Sequence, residues 1–109
     1  SIDIEHVHPK IGRIAHKFMC RDELDKLTFE YEIDELYVHW CAREVLYKMY
    51  GKRGLNFKEN ISIEPFEYHF KGKIKGRINK NDFIKEYIIY YEKLDDYMLA
   101  YAVDRKSIT

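Results

Sequence analysis

The chain has 109 residues, of which 46% are hydrophobic and 35% charged, and its formal net charge is zero. That is the size of one domain, here 1–109, with a core of its own, and the composition excludes a disordered chain. No apolar run reaches the roughly 18 residues of a transmembrane helix, and two cysteines, Cys20 and Cys41, exclude a dense disulfide framework.

Two cysteines fit a reducing compartment, so the expected location is cytoplasmic. The segment Ser1 to His8 lacks the basic-then-apolar layout of a secretory signal. Ser1 in place of Met points to a chain that was processed, tagged or excised from a longer one. Aromatic residues are abundant, with 10 Tyr, 6 Phe and 1 Trp. Tyr joins a large apolar ring to a polar tip, which suits surfaces that meet partners as well as cores.

Ile2 to His8 reads as a short strand, broken at Pro9 because the residue before proline avoids helix. Residues 11–21 read as a short helix with Ile11, Ile14, Ala15 and Phe18 on one side, and Asp22 as the N-cap of a further helical segment. Residues 31–50 are free of Gly and Pro and stop at Gly51, the pattern of a helix with a glycine C-terminal stop. Ile33, Leu36, Tyr37, Trp40 and Tyr47 form one apolar face, and Val38, Ala42, Val45 and Met49 another. A helix apolar on opposite sides is buried on both, so this is the expected central helix. Gly51 to Gly54 is a basic turn, and Ile61 and Ile63 alternate with polar residues ahead of Pro65.

From Glu67 to Arg77 every second residue is charged or His: Glu67, His69, Lys71, Lys73, Lys75 and Arg77. Strand side chains alternate faces, so extended structure here has one apolar face and one ending in four cations. Strands average about 5–6 residues, and Gly supplies the positive φ of a tight turn. The expectation is therefore a basic hairpin turning at Lys71-Gly72. Residues 82–104 place Phe83, Ile84, Tyr87, Tyr90, Tyr91, Tyr97 and Tyr101 on a helical arc of about 200°. They read as a long Tyr-rich C-terminal helix capped by Asn81 or Asp82. The expected fold class is α+β: a central buried helix and a long C-terminal helix packed on a short antiparallel sheet that contains the basic hairpin.

Charge is segregated along the chain. Residues 48–80 carry nine cations against three acids, and residues 22–47 carry eight acids against two cations. Same-face cations on a strand lie about 6.6–6.8 Å apart, close to the spacing of successive phosphates. Lys is a compact charge suited to non-specific phosphate contact. The expected function is a non-enzymatic binding module that contacts nucleic acid, or the acidic surface of a nucleic-acid-handling protein. The contacts would come from Lys71, Lys73, Lys75 and Arg77 with Lys52, Arg53 and Lys58. The small size fits a phage or mobile-element protein. The alternative is a protein-binding inhibitor or oligomerisation domain, with Tyr87, Tyr90, Tyr91, Tyr97 and Tyr101 facing a second copy or a protein partner. No membrane partner and no cofactor is expected.

Three other constellations bear on chemistry. Glu5-His6-Val7-His8-Pro9 resembles the first segment of the HNH-type nucleases, a ββα-metal family. The resemblance implies Glu5 as a metal ligand and His6 as a general base. His6 and His8 together also resemble the two-histidine motif of rolling-circle and relaxase nucleases, which act with a helical Tyr. Either would set a divalent ion beside a scissile phosphate. His16, Cys20, His39 and Cys41 are the four residue types of a tetrahedral zinc site, but His39 and Cys41, two apart on a helix, diverge. No phosphate-cradling glycine loop, nucleophile elbow or paired-carboxylate site stands out.

Overall fold

The computed structural model describes residues 1–104. Its elements are β1 (Ile2–His6), a 3-10 turn (Pro9–Arg13), α1 (Ala15–Phe18), α2 (Arg21–Asp25), α3 (Glu32–Tyr50), β2 (Ile61–Ile63), β3 (Lys71–Lys80), β4 (Phe83–Leu94) and β5 (Tyr97–Tyr101). The strands form one antiparallel sheet in the order β1-β5-β4-β3-β2. The helices pack on one face of it, an α+β arrangement. No helix is long and apolar enough to cross a membrane among the described residues.

The central helix is where the residue pattern placed it. Leu36, Val38, Cys41, Ala42, Val45 and Leu46 are all buried on α3. Each large apolar side chain among them stabilises the fold by roughly 1.5–3 kcal/mol when removed from water. Glu32, Asp34 and Glu35 stand in the first turn, where the helix dipole favours negative charge. Gly51 ends the helix at φ 70°, the left-handed cap position, and its N–H donates to the Tyr47 carbonyl at 3.3 Å.

Two expectations about the second half are corrected. Residues 82–104 are not a helix but the β4–β5 hairpin, so no Tyr-rich C-terminal helix exists to act on a partner. Ile, Tyr and Phe favour strands, and a strand apolar on both faces reads, residue by residue, like a helix with a very wide apolar arc. Both chain reversals are two-residue loops, Asn81-Asp82 and Asp95-Asp96, and the first residue of each takes positive φ, 53° and 51°. The second correction concerns Lys71-Gly72, which does not turn. β3 runs unbroken for ten residues and pairs with β4 from Lys71↔Glu92 to Lys80↔Phe83. Gly72 stays extended and serves a packing need instead: a Cβ there would stand 2.9 Å from the Tyr91 hydroxyl.

Smaller differences lie near the N-terminus. The expected helix over 11–21 is split into the 3-10 turn and α1, and the N-cap of α2 is Cys20 rather than Asp22. Glu23 at the third helical position returns to accept the Cys20 N–H at 3.2 Å.

Candidate functional site

β1 is an edge strand whose side chains alternate. Ile2, Ile4 and His6 point to the open face of the sheet, while Asp3 and Glu5 point to the helix-bearing face. Opposite them, α3 presents Trp40, Glu44 and Lys48, which are four residues apart and share one stripe of the helix. Trp40 Nε1 donates to Glu5 Oε1 at 3.1 Å. Lys48 Nζ donates to the Ile2 carbonyl at 2.9 Å and to Asp3 Oδ1 at 3.3 Å. These contacts fix β1 against the helix and bring three carboxylates, Asp3, Glu5 and Glu44, together beside one ammonium.

The electrostatics of this group are those of mutual repulsion. Burial, then the Asp3 and Glu5 carboxylates, pushes the Glu44 carboxyl above its ordinary value, and Lys48 only partly offsets this. The buried Asp3 Oδ2 is the one buried side-chain polar atom among the described residues with no hydrogen-bond partner. A buried carboxylate oxygen left unpaired is costly. Cys41, on the neighbouring helical position, is fully buried and donates to the Met98 carbonyl at 3.7 Å. Burial and then Asp3 and Glu5 push its thiol far up, so it is no nucleophile.

An orphaned oxygen among like charges is what a cation relieves. Among the described residues no three His, Cys, Asp or Glu groups are arranged to hold a metal ion. Magnesium does not need that: it takes one or two carboxylates and completes its octahedron with water and substrate phosphates. Two carboxylates from the group Asp3, Glu5 and Glu44 therefore fit magnesium as a partial shell. Zinc does not fit them, since it favours His and Cys ligands in a closed tetrahedron.

A groove of about 470 Å³ opens beside Glu5, with Ile11, Tyr37 and Trp40 among its walls and Lys10 and Arg13 at its margin. Its apolar walls and two cations suit an aliphatic chain that carries phosphate. A second hollow, of about 250 Å³, lies on the other side of α3 against Glu23, His39 and Phe66. Two of the carboxylates around it, Glu23 and Glu35, already have partners. Glu23 accepts from Arg43 at 2.6 Å and from the Ile63 N–H at 2.8 Å, and Glu35 accepts from Thr28.

The structure disperses most of the residues singled out in the sequence. Glu5 is in the acidic group. His6 alternates to the open face, where its ring meets Tyr97 edge-on at 5.1 Å, and at the β1 edge it lines the same groove as Glu5. His8 caps the 3-10 turn through Nδ1, which accepts from the Lys10 N–H at 3.2 Å. Cys20 and His39 line one hollow, but His16 and Cys41 do not join them. His39 turns toward Arg43, whereas Cys41 faces β5. Lys71, Lys73, Lys75 and Arg77 do share the exposed face of β3, and Lys75 lies 3.8 Å from Glu86. Lys52, Arg53 and Lys58 are exposed in the α3–β2 connection. Tyr87 and Tyr91 are buried under α3, while Tyr90, Tyr97 and Tyr101 are exposed on the opposite face. Sequence reasoning passed over Asp3, Glu44 and Lys48. The available signals were the Asp-x-Glu alternation on a strand and the Glu44/Lys48 spacing on one helix face.

Over residues 1–102 the chain matches the family model ACPS, described as the 4'-phosphopantetheinyl transferase superfamily. The chain belongs to that superfamily. No curated protein and no solved structure matches it. The family match overturns the expected non-enzymatic nucleic-acid-binding module of phage or mobile-element type, and the inhibitor and HNH-like nuclease alternatives with it. The β3 cations misled because a strand lined with Lys also serves to keep sheets from pairing indiscriminately.

Proposed function

We propose that the chain transfers a 4'-phosphopantetheinyl group, with Asp3, Glu5, Glu44 and Lys48 at the centre of the reaction. Such a transfer breaks the P–O bond to the donor and forms one to an acceptor. Positioning and neutralisation of phosphate charge carry most of the catalysis in phosphoryl chemistry. Magnesium would supply neutralisation of phosphate charge at this site.

The chain's own residues then have distinct parts. Two carboxylates from the group Asp3, Glu5 and Glu44 would hold the ion. Trp40 keeps Glu5 oriented through its indole N–H. Lys48 ties β1 to α3 and leaves an exposed ammonium within reach of a phosphate oxygen. The groove between Trp40, Tyr37 and Ile11 would take the pantetheine arm, with Lys10 and Arg13 drawing the anionic end of the donor. The observation that carries the proposal is the unpartnered, buried Asp3 Oδ2 in a group whose charges raise the Glu44 carboxyl, in a chain of this superfamily.

Calorimetric titration with coenzyme A, a nucleotide that carries the 4'-phosphopantetheine group, tests it. Binding should require magnesium and should be lost in Asp3→Asn and Glu44→Gln while both variants stay folded. Binding that ignores magnesium and both substitutions would refute the assignment.

A further inference from the structure

Three aromatic rings meet at the N-terminal end of α3, away from the acidic group. Tyr31 is the N-cap residue of α3, and Tyr68 and Phe70 lie in the segment that leads into β3. With His69 they line a hollow of about 150 Å³. A helix rises about 1.5 Å per residue, so Tyr31 stands about 20 Å from Glu44 along the axis. Each ring is held separately. Tyr68 is buried, stacks on Tyr91 at 5.9 Å and donates its hydroxyl proton to Asp34 at 3.3 Å. The Tyr31 carbonyl accepts from the Glu35 N–H at 2.9 Å. The Phe70 carbonyl accepts from the Lys93 N–H at 2.7 Å, which fixes the backbone while the ring stays 65% exposed.

Phe70 is nearly perpendicular to both tyrosines, at 82° and 6.5 Å to Tyr31 and at 83° and 6.3 Å to Tyr68. Edge-on contacts elsewhere in the chain are closer, 5.1 Å for Phe18 and Trp40 and 5.2 Å for Tyr50 and Phe83. The extra separation leaves a corner between ring faces. Perpendicular rings so spaced can both face a point about 4.5 Å from each centroid, inside the roughly 6 Å reach of a cation–π contact.

Among the described residues no cation of the chain fills this corner. The one cation–π contact is Lys85 over Tyr87, and the Lys93 ammonium is drawn to Asp34 at 3.1 Å. The surroundings are acidic. The Glu30 charge pushes the Tyr31 phenol up, and Glu67 Oε2 lies 3.9 Å from His69 Nε2. Glu32 in the first turn of α3 offsets the positive end of the helix dipole. The Tyr68 hydroxyl and the Asp34 carboxylate already have partners, so an ammonium with N–H groups to satisfy finds few acceptors. A fully methylated ammonium has no N–H groups, and ring faces suit it. We propose that Tyr31, Tyr68 and Phe70 bind the trimethylammonium group of a small cationic solute of the choline type, at a site separate from the transfer site.

Titration of the intact chain with choline, followed by the proton resonance of the choline methyl groups, tests the proposal. The resonance should move upfield and saturate, because protons over ring faces are shielded. The neutral carbon analogue, with tert-butyl in place of trimethylammonium, should bind at least about fivefold more weakly. Phe70→Leu keeps an apolar side chain and removes the ring. It should weaken choline binding by a similar factor with an unchanged far-ultraviolet spectrum, and Tyr31→Leu should do the same. Phosphatidylcholine vesicles, which carry the same group on a surface, should not sediment the chain. No saturable shift at millimolar choline, equal affinity for the neutral analogue, or binding unmoved by both substitutions overturns the proposal. So does sedimentation with the vesicles by a chain that ignores choline.

Discussion

Arg43 Nη2 lies 2.6 Å from Glu23 Oε1, and neither side chain sees solvent to any useful extent. The rest of the guanidinium is spoken for as well. Nε donates to the Phe57 carbonyl at 3.0 Å, and Nη2 also donates to the Ile61 carbonyl at 3.2 Å. Through these bonds one residue of α3 fastens α2, the α3–β2 connection and β2. This is a buried ion pair with its remaining donors satisfied, the condition under which desolvation is repaid.

Arg43→Met is therefore expected to cost about 3–5 kcal/mol, because it strands the Glu23 carboxylate in the core. Adding Glu23→Leu to Arg43→Met should recover much of that loss. Urea unfolding of the two single variants and the double variant measures the coupling. Strict additivity of the single losses would show that the pair does not act as a unit.

His39 sets the acid limit. Burial, and then the Arg43 charge, pulls its imidazole from 6.5 down to about 3. The unfolded chain binds that proton at a higher pH than the folded one. The contribution is thus complete above 6.5 and is lost as pH falls toward 3. One proton corresponds to a slope of about 1.4 kcal/mol per pH unit. Unfolding free energies measured across this range should show it, and His39→Asn should flatten the curve relative to the parent chain.

The acidic group has the opposite sign. With its carboxyl raised, Glu44 keeps a proton in the folded state to higher pH than in the unfolded chain. Its favourable contribution is present below the ordinary Glu value and disappears as pH rises through the raised one. At neutral pH without metal, Glu44→Gln should therefore stabilise the fold, by about 0.2–1 kcal/mol because solvent screens this part-exposed group. Magnesium should raise the melting temperature of the parent chain and leave this variant unmoved.

Gly76 is sealed against the core. A Cβ there would stand 2.8 Å from Ile89 Cδ1 and 3.0 Å from Leu46 Cδ1. Gly76→Ala should cost about 1–3 kcal/mol by overpacking, visible as a lower denaturation midpoint. Combining it with Leu46→Val should return part of the loss.

The N-terminal half was legible because its signals were local. Gly51 ended α3 where a helix of that composition stops, and the Ile61/Ile63 alternation is β2. The C-terminal half misread because the wheel and the strand ladder both accept Tyr87 through Tyr91. Only the Asn81-Asp82 and Asp95-Asp96 reversals separate the two possibilities, and Asp95-Asp96 resembles a solvated helix face. The acidic group was half visible. Glu5 was singled out, but with His6, its immediate neighbour, which alternation turns away from the carboxylates toward the open face at the rim of the groove. Its actual companions, Glu44 and Lys48, lie on α3, and local spacing holds no information about which strand a helix will meet.

The Ser1 amino group donates to the Ala102 carbonyl at 2.8 Å, and the Ala102 N–H returns a bond to the Ser1 carbonyl at 3.0 Å. Positions 1 and 102 are therefore stitched side by side at the end of β1. A short peptide splice between them would leave the sheet undisturbed, and the chain could then be reopened at the exposed Asn81-Asp82 loop. Circular permutants built this way would carry the acidic strand in the middle of the gene and still assemble the same carboxylates.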